Sequence, residues 1–68
     1  MTIFYILPTY KNGRIQRRIM ATIDEANAAD ALRVALTVHP AWHGRATALT
    51  REEANEHLAP SRQIPAPE

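Results

Sequence analysis

The sequence contains no cysteine, only two glycines and a single serine, and each shortage excludes a class of chemistry. Without cysteine the chain can form neither a disulfide nor a thiolate metal site, and a reducing compartment suits it. Two glycines are too few for a glycine-rich phosphate loop. The serine, Ser61, lies outside any Gly-x-Ser-x-Gly nucleophile motif. We therefore expect a protein that is not an enzyme and that uses no cofactor.

Long hydrophobic runs are also missing. No apolar stretch approaches the ~20 residues that a membrane-spanning helix needs. The apolar start covers only residues 3–7 before Pro8 interrupts it, and no basic segment precedes it as in a secretory signal. A chain of 68 residues forms one small domain whose folding buries only ~60% of the unfolded surface. We expect a cytoplasmic protein without membrane contacts.

The three histidines, His39, His43 and His57, do not predict a metal site. His39 and His43 have the i, i+4 spacing of neighbours on a helix, but Pro40 and Gly44 interrupt a helix there. Structural zinc sites use other spacings and commonly include cysteine. We expect ordinary loop and surface histidines.

The first third of the chain predicts a β-hairpin. Segment 3–10 is rich in β-branched and aromatic residues, and segment 14–23 alternates loosely between apolar and polar residues. The two flank the sequence Lys-Asn-Gly-Arg. Asn12-Gly13 favours a two-residue type I′ turn, because that turn needs positive φ at both central positions. Pro8 cannot donate to a strand ladder, so it predicts a bulge or an unpaired edge.

A two-residue turn at this position predicts the strand pairing. Tyr10 would pair with Ile15, Ile6 with Ile19 and Phe4 with Ala21, and directly paired residues share a face of the sheet. The opposite face would hold Ile3, Tyr5, Leu7, Gln16, Arg18 and Met20.

Thr22 and Glu25 have the spacing of a capping box and predict a helix over residues 23–38 that Pro40 ends. Small side chains on its buried side would let the helix approach a sheet closely and cost no side-chain entropy. That side is made almost wholly of alanine and leucine: Ala28, Ala29, Ala31, Leu32, Ala35, Leu36 and Val38.

The remaining segments complete an α+β fold. We expect Trp42 to bury its ring at one end of the core, and residues 45–50 to form a third strand antiparallel to the first. The predicted sheet is three-stranded and antiparallel (β-β-α-β, order 2-1-3), with the helix on one face. A second capping box, Thr50 with Glu53, begins a short C-terminal helix. The domain would span residues 1–59, and residues 60–68 would form a flexible, proline-rich tail.

Charge is unevenly distributed along the chain. Residues 1–20 contain Lys11, Arg14, Arg17 and Arg18 and no acid, whereas every acidic residue lies between positions 24 and 68. Arginines interleaved with aromatic residues could bind phosphates and stack on bases. An apolar strip bordered by charge is instead typical of a protein interface. The candidate partner-binding residues are Tyr5, Tyr10, Lys11, Arg14, Arg17, Arg18 and Met20.

The order of these features supports a resemblance. The Asn-Gly hairpin, the "ATIDEA" phrase at residues 21–26, the alanine-rich helix, the "HPAWHG" loop and the short strand resemble small β-β-α-β proteins of phages and mobile elements. Several anti-CRISPR proteins share this layout, and the phage inhibitor of bacterial RNA polymerase is similar over the phrase. The resemblance spans residues 14–50. It implies stoichiometric docking on a large bacterial complex in the host cytoplasm.

The leading expectation is therefore a non-catalytic, anti-CRISPR-like inhibitor that docks on a bacterial protein or ribonucleoprotein complex, such as a CRISPR effector. The alternative is a small nucleic-acid-binding protein that uses the basic hairpin. A third reading is a homodimer that associates through a sheet edge.

Overall fold

The computed structural model describes residues 2–65, which form a three-stranded sheet and two helices. Two short 3-10 turns, at Pro40–Trp42 and Pro60–Arg62, follow the helices. In chain order the main elements are β1 (Thr2–Pro8), β2 (Ala21–Glu25), α1 (Ala28–Val38), β3 (Ala46–Leu49) and α2 (Arg51–His57).

The sheet has the predicted order, β2-β1-β3, with both neighbours antiparallel to β1, so the α+β prediction is confirmed. The central strand is buried on both faces, which explains its almost continuous apolar sequence. Phe4 and Ile6 point to one face and Leu7 to the other, and all three are buried. The sheet thus divides the core into two halves, one on each side of β1.

The predicted capping box at Thr22 is wrong. Thr22 lies within β2, where it pairs with Tyr5, and Ile23 pairs with Phe4. The helix begins later, because Asn27 is its N-cap and accepts a hydrogen bond through Oδ1 from the Asp30 backbone N–H at 2.9 Å. A helix starting at residue 23 would remove Ile23 from the strand pair beside the buried Phe4.

The alanine-rich side of α1 packs on the sheet as predicted, although its buried stripe is narrower. The helix contacts all three strands, and Ala31 and Ala35 are fully buried. Leu32 and Leu36 are half-buried, whereas Val38 is 65% exposed.

The hairpin turn differs from the predicted type I′ turn. The Gly13 N–H donates to the Tyr10 carbonyl at 2.9 Å, and the Tyr10 N–H donates to the Arg14 carbonyl at 2.7 Å. Gly13 has φ +90°, whereas no non-glycine residue within residues 2–65 has positive φ, so Asn12 cannot complete a type I′ turn. The pattern is a three-residue loop that ends in a glycine bulge. The Asn12 side chain accepts a hydrogen bond from the Arg14 N–H at 3.0 Å.

The predicted register is consequently wrong. Thr9 pairs with Ile15 in an isolated bridge, and Ile6 pairs with Ala21 rather than with Ile19. The chain between residues 16 and 20 lies outside the strands, opposite Leu7 and the buried Pro8. Residues 16–20 thus form a bulge opposite the end of β1. Because Pro8 has no N–H to donate, the hydrogen-bond ladder between β1 and this part of the chain is interrupted there.

The second helix begins at the predicted capping box, which is confirmed. The Thr50 hydroxyl accepts from the Glu53 N–H at 3.3 Å, and the Glu53 carboxylate accepts from the Thr50 N–H at 3.1 Å. α2 packs on the sheet face that carries Leu7, where Ala54 and Leu58 join Leu7 in a buried cluster.

Residues 60–64 pack back on α2, in contrast to the flexible tail predicted for 60–68; residues 66–68 lie outside the described part. The Asn55 side chain accepts from the Ile64 N–H at 2.8 Å and donates to the Ile64 carbonyl at 3.1 Å. The Gln63 side-chain amide donates to the carbonyls of Asn55 and Leu58 at 2.8 and 3.0 Å. Ile64 thereby packs against the Leu7 cluster.

Trp42 is only half-buried, so the prediction of a buried ring is not met. Its ring stacks on the imidazole of His39, with centroids 3.9 Å apart and planes 19° from parallel. The short 3-10 turn that starts at Pro40 brings the two rings together at the end of α1.

Candidate binding surface at the hairpin end

The apolar strip predicted around Tyr5 is largely covered. Leu7 is fully buried, and Tyr5 packs against the cluster formed by Leu7 and α2. Met20 is half-buried beside β1, where its N–H donates to the Ile6 carbonyl at 2.7 Å. Ile3 is the member of this face that stays open, at 52% exposure. Tyr5 and Met20 are thus both half-buried, unlike the exposed hairpin cations.

The other predicted binding residues lie at the hairpin end, beyond the last residue of β1. Tyr10, Lys11, Arg14, Arg17 and Arg18 are all exposed there. Tyr10 is 55% exposed. Arg17 lies in the irregular segment that follows the glycine bulge, and it lines a surface groove together with Tyr10 and Arg14.

Arg45 joins this end of the sheet, although sequence reasoning did not select it. The Thr9 N–H donates to the Arg45 carbonyl at 2.9 Å, which fixes the start of β3 beside the end of β1. The predicted antiparallel pairing of β1 with a strand over residues 45–50 contained this signal, because it places the start of the third strand near the end of the first.

Three shallow grooves run around the hairpin end and share lining residues. The first is lined by Thr9, Lys11, Gln16, Gly44 and Arg45. The second is lined by Tyr10, Asn12, Arg14, Ile15, Gln16 and Arg17. The third lies between the hairpin and the end of α2, and includes Arg14, Arg17, Glu56 and His57.

Gln16 lines the first two grooves, and Arg14 and Arg17 line the last two, so the grooves adjoin one another. We call this surface the cationic track; it passes Arg45, Lys11, Tyr10, Arg17, Arg14 and His57. Arg18 is exposed nearby but lines none of the three grooves.

Within residues 2–65, no ion pair joins the arginines or the lysine of the track to an acidic side chain. Within residues 2–65 the ion pairs join Arg33 to Asp30 at 2.7 Å and Arg51 to Glu52 at 2.9 Å, both away from the track. Among the residues that line the three grooves, Glu56 in the third groove is the acidic one. The track consequently presents a positive surface to a partner.

Acidic residues gather at the opposite end of β1. Glu25 and Asp24 pair in register with Thr2 and Ile3, and Glu52 and Glu53 lie in the first turn of α2. β1 has seven residues and spans roughly 20 Å at ~3.3 Å per residue. The uneven charge of the sequence has become a separation of charge in space, with the positive end at the track.

Other kinds of site find little support in the described part of the chain. Within residues 2–65, no three histidine, aspartate or glutamate side chains are grouped closely enough to hold a metal ion. No helix in this range is long and apolar enough to cross a membrane. Within the same residues, the stacked rings of His39 and Trp42 belong to no such metal-ligating group.

The fold and this surface together define a small α+β domain with a cationic end. Compared with known proteins, the chain matches no protein-family model, no curated protein and no solved structure. The cationic track is therefore the feature of this protein that bears most directly on its function.

Proposed function

We propose that this protein is a non-catalytic binding protein that docks through its cationic end on a bacterial protein or ribonucleoprotein complex and blocks that complex stoichiometrically. The resemblance to phage and mobile-element inhibitors of the anti-CRISPR kind supplies the class of target, a nucleic-acid-handling machine.

The observation that carries this proposal is the exposed, unneutralised set of cations at one end of the sheet. Surface cations are commonly distributed among acids, as with Arg33 and Asp30 on α1. Here Lys11, Arg14, Arg17 and Arg45 lie around one loop with no carboxylate within ion-pair distance among the described residues. Holding like charges together costs free energy, and a partner of opposite charge would recover it.

The mode of action follows from the form of the surface. The track consists of open grooves, a shape that suits contact with a macromolecule. Interfaces depend on a few residues at the centre of the contact, and the track offers Tyr10 and Arg17 as such residues. A protein of this kind acts by occupying a site on its target.

Affinity capture from a lysate of CRISPR-carrying bacteria, with and without nuclease, tests the docking. The tagged protein is compared with the variant Arg14→Gln/Arg17→Gln, in which two track cations are lost. The control is Arg33→Gln/Arg62→Gln, which removes the same charge from exposed positions outside the track. The captured complex is then purified, and its nuclease activity is titrated with the protein.

We expect the wild type and the control to capture the same complex, and the track variant to lose it. Activity should fall linearly and reach its minimum near one inhibitor per complex. Capture that is equal for both double variants would contradict docking through this end. Capture with no loss of activity at saturation would contradict inhibition.

A further inference from the structure

We infer that the cationic track binds single-stranded nucleic acid, with phosphates along the arginines and a base stacked on Tyr10. This inference rests on the proposed function, because it names the component of the target complex that the track contacts.

The arrangement of three adjoining grooves, each with a cation, points to a linear polyanion. The track passes from Arg45 and Lys11 across Gln16 to Tyr10, and then along Arg17 and Arg14 to His57. Each groove contributes at least one cation, so a chain lying along all three would meet positive charge repeatedly. Proteins that bind single strands combine such a charged groove with aromatic rings.

Tyr10 decides between a single strand and a duplex. Its side chain is 55% exposed, and it shares the second groove with Arg14 and Arg17. A base stacks on an aromatic ring only when it is free of its own helix, as in a single strand. Within residues 2–65 both helices pack on the sheet, α1 against all three strands and α2 on the face that carries Leu7, and the end of α2 meets the hairpin as one side of the third groove.

An acidic protein surface is a weaker match. Protein interfaces are anchored by buried apolar and aromatic side chains. On the Tyr5 face, Leu7 is buried and Tyr5 packs against the cluster that Leu7 forms with α2, which leaves Ile3 as the open apolar residue. The third groove has apolar lining from Ile15 and Leu58, but Leu58 is only 6% exposed. In place of an apolar anchor, the track offers positive charge and one exposed aromatic ring, that of Tyr10.

The experiment measures fluorescence anisotropy of a labelled single-stranded RNA of about 12 nucleotides, a length within known site sizes. The purified full-length protein is titrated at salt concentrations from about 50 to 200 mM. A duplex of the same length and the matching DNA strand are measured in parallel. Arg17→Gln is compared with Arg18→Gln, because these neighbours are both exposed and carry the same charge but only Arg17 lines the track.

We expect single strands to bind more tightly than the duplex. Three or four phosphate contacts predict a slope of log affinity against log salt of about −2 to −3. Arg17→Gln should make that slope less steep by about 0.7, whereas Arg18→Gln should leave it unchanged. Tyr10→Ala should weaken binding roughly 5- to 150-fold through lost stacking, whereas Tyr10→Phe should retain it. Circular dichroism checks that each variant is folded.

Equal effects of Arg17→Gln and Arg18→Gln would overturn the inference, because net charge alone would then explain binding. Tighter binding to the duplex would also overturn it. If the oligonucleotide does not bind while a nuclease-resistant complex is still captured, the track contacts protein, and the inference fails although the proposed docking stands. Oligonucleotide binding without capture of any complex would instead contradict the proposed function.

Discussion

Substitution of Asn55 by alanine tests whether residues 60–64 are part of the folded domain. The Asn55 side chain makes two hydrogen bonds to the backbone of Ile64, at 2.8 and 3.1 Å. Each contributes a net ~0.5–1.5 kcal/mol to the free energy of unfolding. Alanine gains up to about 0.7 kcal/mol of helix propensity within α2, which offsets part of the loss. We expect a net destabilisation of about 1.5 kcal/mol.

This loss is large for so small a domain. At roughly 0.05–0.15 kcal/mol per residue, the whole chain is stable by only about 3–10 kcal/mol. A loss of about 1.5 kcal/mol corresponds to a fall in Tm of roughly 6–12 °C. Urea unfolding followed by circular dichroism gives the free energy, and hydrogen exchange at the Ile64 amide reports directly on the segment. The control is Glu56→Ala, an exposed neighbour on the same helix that makes no hydrogen bond to residues 60–64.

The reasoning would be refuted if Asn55→Ala changed the unfolding free energy no more than Glu56→Ala does. It would also be refuted if the Ile64 amide exchanged as fast in the wild type as in an unfolded chain. Asn55→Asp tests the two hydrogen bonds separately, because it retains the acceptor for the Ile64 N–H and loses the donor to the Ile64 carbonyl. Its destabilisation should exceed that of the control.

Two further predictions concern the helices. Thr50→Ala removes the hydroxyl that caps α2 and should lower the unfolding free energy by about 1 kcal/mol, measured by urea unfolding; an unchanged midpoint would contradict the capping role. Ala35→Leu adds bulk where α1 lies on the sheet, and since Ala35 is only 1% exposed, it should cost about 1–3 kcal/mol. Val38→Leu, at a position that is 65% exposed, is its control, and an equally large loss there would mean that the close approach of α1 is not what Ala35 provides.

The two capping-box patterns show how far local sequence determines structure. Thr22 with Glu25 and Thr50 with Glu53 have the same spacing, yet only the second begins a helix. After Thr50 come Arg51 and Glu52, which favour a first helical turn and lie at the surface. After Thr22 comes Ile23, a β-branched residue that pairs across the sheet with the buried Phe4. Tertiary burial thus overrides a motif that is locally sufficient.

The residues of the candidate site also fall into two groups, those that local sequence predicts and those whose place depends on tertiary packing. Lys11, Arg14 and Arg17 could be identified from sequence because they flank a recognisable turn. Arg45 was not among the predicted binding residues, although the predicted antiparallel order of β1 and β3 places the start of β3 beside the end of β1. His57 could not be found, because its place beside Arg14 depends on how α2 packs across the sheet. The sequence left open whether residues 51–64 cover the Tyr5 face. The packing of α2 decides this, together with the hydrogen bonds by which Asn55 and Gln63 hold residues 60–64.

A net charge of +1 conceals the property that matters most for binding. Had Lys11, Arg14 and Arg17 been mixed with the acids, salt-dependent attraction to a polyanion would be weak at every surface of the domain. The fold instead places Asp24, Glu25 and the first turn of α2 about one strand length away from the track. At physiological ionic strength charges are screened over ~8 Å, so the acidic end hardly weakens attraction at the track. The acidic end would nevertheless repel a negatively charged partner that approached it directly. The separation of charge thus favours one orientation of the domain on a negatively charged partner.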